Sequence, residues 1–294
     1  EVALDRYRWM FRATPLRFSH SWRDYLAADL FDGVVARALP AGDVFVGFGG
    51  RARRCFHRAR MLGYRRLVLE SATSHVANVW RQHALATRVH AFETSWLNAA
   101  QYRRTLEEYA MADEIVVTSE YSRESFLRAG VPESKLRRRV QPVASRFAPP
   151  PRRTERRGFR VVYVGRLQVT KGIPVLLDAF ARLRDSSAEL VLVGGCATNA
   201  MERYIKRRIA ADPRVRVRPG DPLAELHQAD VLVHPTYEDG LGLGPLEALA
   251  AGVPAIVTED TGMKEYVVPG VNGHVVPTGD DHRFRSLLPA LKRC

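Results

Sequence analysis

Cysteine is scarce in this 294-residue chain. The three residues, Cys55, Cys196 and Cys294, lie far apart with no C-x-x-C spacing. That pattern excludes a disulfide framework and a cysteine-ligated zinc site, and leaves ordinary thiols. Long apolar runs are missing too, none approaching the ~18 residues that a bilayer-crossing helix needs. The opening residues, EVALDR, are too charged for a secretory signal, so a cytoplasmic protein is expected. No G-x-G-x-x-G opens a strand–turn–helix unit with an acidic ribose ligand behind it, which counts against a dinucleotide-dependent oxidoreductase. There is no Asp-x-Asp pair, and His20, His57, His83, His90, His227, His274 and His282 show no metal-ligand spacing. Lysine is nearly absent: of 45 basic residues only Lys135, Lys171, Lys206, Lys264 and Lys292 are lysines.

What is present is a basic, globular composition. Apolar residues make up 46% and charged residues 26%, which rules out wholesale disorder. The length predicts two domains. A formal charge of +13 implies attraction to polyanions. Arginine clusters at 51–54, 137–139 and 152–157 read first as solvated surface and second as a contact with an anionic membrane surface. Nucleic acid is not expected as a partner, since neither aromatic interleaving nor a known nucleic-acid-binding motif accompanies the charge.

From residue 161 onward, strand-like runs at 161–164, 190–193, 215–217, 231–233 and 255–257 alternate with helical stretches, the pattern of a doubly wound parallel sheet. The first half is less regular, with strands expected at 44–48, 67–70 and 115–119. Ser119 is placed to cap a helix that Gly130 ends. The proline-rich, charged stretch 148–158 reads as a linker between a first domain, 1–147, and a second, 159–294.

The most informative stretch is PTYEDGLGLGPLEALAAGVPAIV, residues 235–257. Gly240, Gly242 and Gly244 form a turn that leaves backbone N–H groups uncovered, Pro245 suits the first position of a helix over 245–251, and Gly252 suits its left-handed end. The N–H groups of Gly242, Leu243 and Gly244, with the positive end of the helix dipole, offer a seat for a diphosphate. Glu247 falls in the first turn, where a carboxylate either compensates the dipole or accepts hydrogen bonds from ribose hydroxyls. A second stretch, RVVYVGRLQVTKGIPVLLDAFARL over 160–183, runs from strand to loop to helix and puts Arg166 and Lys171 in the loop. Both loops follow strand ends, where ligands bind in such sheets.

Asp239 and Glu247, seven residues apart with glycines between, resemble the E-x7-E signature of retaining glycosyltransferases of family 4, with the GT-B fold. Arg166 and Lys171 match that family's diphosphate-binding pair. The stretch 107–132 is similar to the last strand and helix of its first domain, and LVLESATSH over 67–75 resembles the strand and loop that end in a Ser-His pair in one branch. Likeness is strong over 158–279 and moderate over 64–147. It implies two Rossmann-like domains facing across a cleft and transfer of a sugar, with retention, from a nucleoside diphosphate sugar to an acceptor hydroxyl on a glycan, a lipid-linked sugar or a small molecule. Arg166 and Lys171 would hold the diphosphate with the amides around Gly242, Leu243 and Gly244, Glu247 would hold the ribose, and His75 would reach the donor sugar from the other domain. Either Glu238 or Asp239 would bind sugar hydroxyls, since the spacing selects Asp239 where the family usually has Glu. No metal and no cofactor are expected beyond the donor, whose base, UDP-, GDP- or ADP-, is open, as is the oligomeric state. Two departures stand out: 1–18 resembles neither the family's opening strand nor its glycine-rich loop, and the chain ends before the long closing helices. A trimmed family member is therefore one reading. A non-catalytic sugar-nucleotide-binding module and a GT-B-type sugar-nucleotide epimerase are the alternatives.

Overall fold

A computed structural model describes residues 19–150 and 158–279. The expectations for 1–18, for most of the linker, for the arginines at 152–157, and for His282, Lys292 and Cys294 lie outside the described residues. The chain divides into two compact units.

The first unit takes in residues up to 84 and Thr94–Arg139. Its described elements are α1 (His20–Ala38), β1 (Val44–Phe48), α2 (Arg53–Met61), β2 (Arg66–Ser71), the start of α3 (Val76–Val89), α4 (Ala99–Met111), β3 (Glu114–Val117), α5 (Glu120–Arg128) and β4 (Leu136–Arg138). The four strands pair in parallel in the order β1-β2-β3-β4. β4 was not anticipated, because a three-residue strand with two arginines carries no apolar pattern. Leu67, Leu69, Ile115 and Val117 turn one face of the sheet onto Phe56, Ala59, Tyr109 and Phe126. Ser119 caps α5 as expected, its hydroxyl accepting from Ser122 N at 3.0 Å. β1 is an edge strand whose Val44, Val46 and Phe48 are exposed.

A buried charge cluster fixes the loop after β1. Glu108 of α4 accepts from the backbone N–H groups of Gly50, Ala52 and Arg53, and Asp32 of α1 accepts from Arg54 N at 2.7 Å and Cys55 N at 2.9 Å. Arg104 lies between the two acids, 2.7 Å from Asp32 and 3.4 Å from Glu108, with all three side chains fully buried. The N–H groups that open α2 therefore serve internal carboxylates. None of these three residues carried a local sequence signal.

The second unit takes in residues from 140 onward together with Leu85–Glu93. Its elements are β5 (Arg160–Val164), α6 (Ile173–Ala181), β6 (Glu189–Val193), α7 (Asn199–Ala211), β7 (Val215–Arg218), α8 (Leu223–Leu226), β8 (Val231–His234), α9 (Leu243–Ala250), β9 (Ala255–Thr258) and β10 (Gly273–Val276). The sheet is parallel in the order β10-β9-β8-β5-β6-β7. Alternation on each strand builds two cores. Val161, Tyr163, Leu190, Leu192, Val231 and Val233 face α6 and α7 on one side, while Val162, Val191, Val193, Leu232 and Val257 face α8 and α9 on the other. Strands buried on both faces are why these runs read as continuous apolar segments. The order reverses between β5 and β8, and ligands of open α/β sheets bind at the carboxyl edge of such a switch point. Residues 85–93 and 140–147, expected in the first domain, belong to this unit: Leu85 and Ala86 pack into the α6 and α7 core, and Phe92 stacks on Tyr204 at 4.7 Å.

Candidate active site

Adjacent strands β5 and β8 end side by side, and the loops that follow them press together. Gly172 has φ +72° at the N-cap of α6, and a Cβ there would sit 1.9 Å from the carbonyl oxygen of Pro235. Only glycine fits that approach. The contact is reinforced by Tyr237 N donating to Thr170 O at 3.0 Å. It places the turn Val169–Lys171 against residues 235–239.

Lys171 is half-buried, and its ammonium donates to the Glu238 carbonyl at 3.0 Å and to Asp239 Oδ2 at 2.7 Å. His234, at the end of β8, approaches the same oxygen with Nε2 at 3.2 Å and stacks on Tyr163. Burial alone would raise the Asp239 carboxyl, but the Lys171 ammonium and the His234 hydrogen bond outweigh it and hold the group well below the usual carboxylate range. Burial pushes His234 down, against the pull of Asp239, so its ring is neutral and donates from Nε2. Its Nδ1 is buried with no partner among the described residues, which is tolerable for a bare lone pair and costly for an N–H. His234 thus touches the Asp239 carboxylate, a contact that no local sequence pattern signals.

Glu238 is 2% exposed and Asp239 half-buried. Backbone hydrogen bonds from Asp239 N to Asp260 O and from Gly262 N to Asp239 O pin the loop. Arg166 is exposed, and its guanidinium has no partner among the described residues.

The helix at the second motif begins earlier than expected. α9 starts at Leu243, capped by Gly242 at φ +94°. Pro245 is thus the third helical residue, and Glu247 lies in the second turn, beyond dipole compensation. The far end is as expected: Gly252 at φ +74° donates to Leu249 O and Val253 to Ala248 O, a Schellman closure. The amides of Gly242, Leu243 and Gly244 have no acceptor among the described residues, and a Cβ on Gly244 would meet the Val164 carbonyl at 2.8 Å. These three donors therefore open at the carboxyl end of β5. Glu247 is half-exposed, and burial raises its pKa, Arg146 lowering it and Asp221 raising it in smaller measure. Arg146 pairs with Asp221 at 2.5 Å.

Arg166, Lys171, Glu238, Asp239, Gly242, Leu243, Gly244 and Glu247 thus fall, in one unit, on the loop after β5 and on the loop and first two helical turns after β8. His75 belongs to the first unit. Its backbone N–H donates to Ser125 Oγ at 2.8 Å, its Nδ1 accepts from Ala77 N at 3.2 Å, and its ring lies against Tyr109 and Phe126. That geometry puts the proton of the neutral ring on Nε2.

Residues 158–291 match the family model described as Glycosyl transferases group 1. Among curated relatives, D-inositol 3-phosphate glycosyltransferase of Corynebacterium kroppenstedtii is 30% identical over 144 residues, 45% of this chain and 32% of the relative. The aligned stretch is thus about a third of that relative's length. Among solved structures, sucrose-phosphate synthase from Thermosynechococcus elongatus superposes with a TM-score of 0.71 at 22% identity, covering 96% of this chain and 72% of the other. Anabaena HepE in complex with UDP gives 0.66 at 17% identity, covering 90% and 71%. Residues 158–291 thus resemble a Glycosyl transferases group 1 domain, and the chain has the fold of the GT-B glycosyltransferases.

Proposed function

We propose that this chain transfers a sugar from a nucleoside diphosphate sugar to an acceptor hydroxyl with retention of anomeric configuration. The observation that carries this reading is the meeting, at the switch point of one sheet, of an exposed guanidinium, a fixed ammonium and three unpaired amides. A diphosphate leaving group is the anion that this donor set suits. A UDP complex of a protein with the same fold supports it.

In the reaction, the bond from the sugar C1 to the β-phosphate oxygen breaks with oxocarbenium character, and its electron pair stays on that oxygen. Arg166, Lys171 and the amides of Gly242, Leu243 and Gly244 stabilise the growing charge. The acceptor oxygen bonds to C1 on the face the phosphate leaves, and its proton passes to the departing phosphate oxygen. Charge neutralisation by two cations and a helix N-terminus makes a metal unnecessary, and no cofactor takes part. Glu247 holds the ribose hydroxyls. Asp239, kept ionised by Lys171 and His234, is the acid assigned to the sugar hydroxyls in preference to Glu238, whose side chain is almost fully buried. His75 offers Nε2–H to a sugar hydroxyl. The acceptor is a glycan, a lipid-linked sugar or a small molecule, and work at the inner face of an anionic membrane fits the net charge of +13.

A thermal-shift screen against UDP-, GDP- and ADP-sugars identifies the donor, because a ligand bound only by the folded state raises the midpoint. With that donor, Lys171→Ala and Arg166→Ala each lower turnover by about 10² or more, by analogy with loss of one preorganised donor. Unchanged kinetics in both variants would remove the pair from the mechanism.

A further inference from the structure

Glu93 comes from the first half of the chain, outside the matched family domain, yet it is built into the second unit. It is 5% exposed. Its Oε2 accepts from Val169 N at 2.5 Å, and its Oε1 accepts from the hydroxyl of Thr198. Val169 opens the turn whose third residue is Lys171. Thr198 is the N-cap of α7, accepting in turn from Met201 N at 3.1 Å. One carboxylate thereby ties the loop after β5 to the loop after β6. Those loops also touch directly: Gly165 N donates to Val193 O, Leu167 N to Gly195 O and Ala197 N to Leu167 O, each at 2.9 Å. The stack of Phe92 on Tyr204 seats the segment that delivers the carboxylate.

We infer that Glu93 is a positioning residue for diphosphate binding: by gripping Val169 N and Thr198 it sets the turn that carries Lys171, and residues 85–93 are part of the donor-binding unit. The inference rests on the diphosphate reading above. Charge alone argues the opposite effect, since an anion beside a phosphate-binding loop repels the ligand. A buried carboxylate in that place is useful only for the geometry it imposes, and the two accounts differ in the sign of what its removal does.

Calorimetric titration of the whole chain with UDP, GDP and ADP, and with UMP, GMP and AMP, tests this. Glu93→Ala is expected to weaken diphosphate binding by about tenfold or more, as misplacement of a binding group does, while monophosphate affinity changes by less than about twofold. General loosening of the fold would lower both together. Thr198→Val removes the grip on Thr198 and is expected to shift the diphosphate-to-monophosphate ratio in the same direction by less; Glu93→Gln, which keeps one accepting oxygen, also falls between. Glu93→Ala binding diphosphate as well as wild type, or more tightly, overturns the inference. Should Glu93→Ala fail to fold, an unchanged ratio in both Thr198→Val and Glu93→Gln overturns it equally. A wild-type chain with no preference for diphosphate would instead overturn the diphosphate reading and this inference with it, a result distinct from a preference that survives the substitutions.

Discussion

His75 is packed against Tyr109 and Phe126 with Nδ1 engaged, and burial pushes its pKa down to about 4 from 6.5. The unfolded chain takes up a proton near 6.5 that the folded chain refuses until about 4. The stabilisation from the neutral ring is therefore complete above pH 6.5 and is lost as pH falls towards 4, by roughly 3 kcal/mol at most. His90 and His234 are shifted downward as well and add acid sensitivity of the same sign. Urea unfolding at pH 7 and pH 4.5 is expected to show a smaller loss in His75→Gln than in the wild type. An equal loss would mean that the ring is not buried neutral. Arg104 gives a second test among single residues. Replacing it by Met leaves Asp32 and Glu108 buried without their cation, at a cost of about 3–5 kcal/mol in denaturant unfolding; a loss under 1 kcal/mol would show the cluster to be solvated.

Among the elements, the contact between the loops after β5 and β8 depends on Gly172. A methyl there meets Pro235 O at 1.9 Å in a left-handed backbone, so Gly172→Ala is expected to cost ~3 kcal/mol or more, left-handed strain adding to the clash. Gly63 has a similar φ of +82° with nothing within 4 Å, and Gly63→Ala is expected to cost only about 1 kcal/mol. Equal losses in thermal unfolding would mean that the loops do not press together. At this scale the sequence was most legible where burial is two-sided: the strands at 160–164, 189–193 and 231–234 stand as apolar runs because helices cover both faces. Glycine marked the loops for a related reason, a close approach that no side chain survives. The start of α9 was misplaced by two residues because Gly242 serves as a left-handed cap, a conformation invisible beside the stronger helical signal of Pro245. β10, four residues at an edge and partly exposed, had too weak a pattern to be seen.

In the whole molecule, the residues that hold the candidate site together come from places that no local pattern connects. Asp239 and Lys171 were legible as separate motifs, but their ion pair required the β5–β8 adjacency that only the fold supplies. Glu93 was not legible at all, since it stands 76 positions from the N–H it receives. Among the described residues no helix is long and apolar enough to cross a membrane. The measurement that bears most directly on the central claim is the crystal structure of the chain with the nucleoside diphosphate it binds best. The account predicts the two phosphates between Arg166 and Lys171 on one side and the amides of Gly242, Leu243 and Gly244 on the other, with the ribose hydroxyls on Glu247. A diphosphate bound elsewhere, with those amides facing solvent, would contradict it.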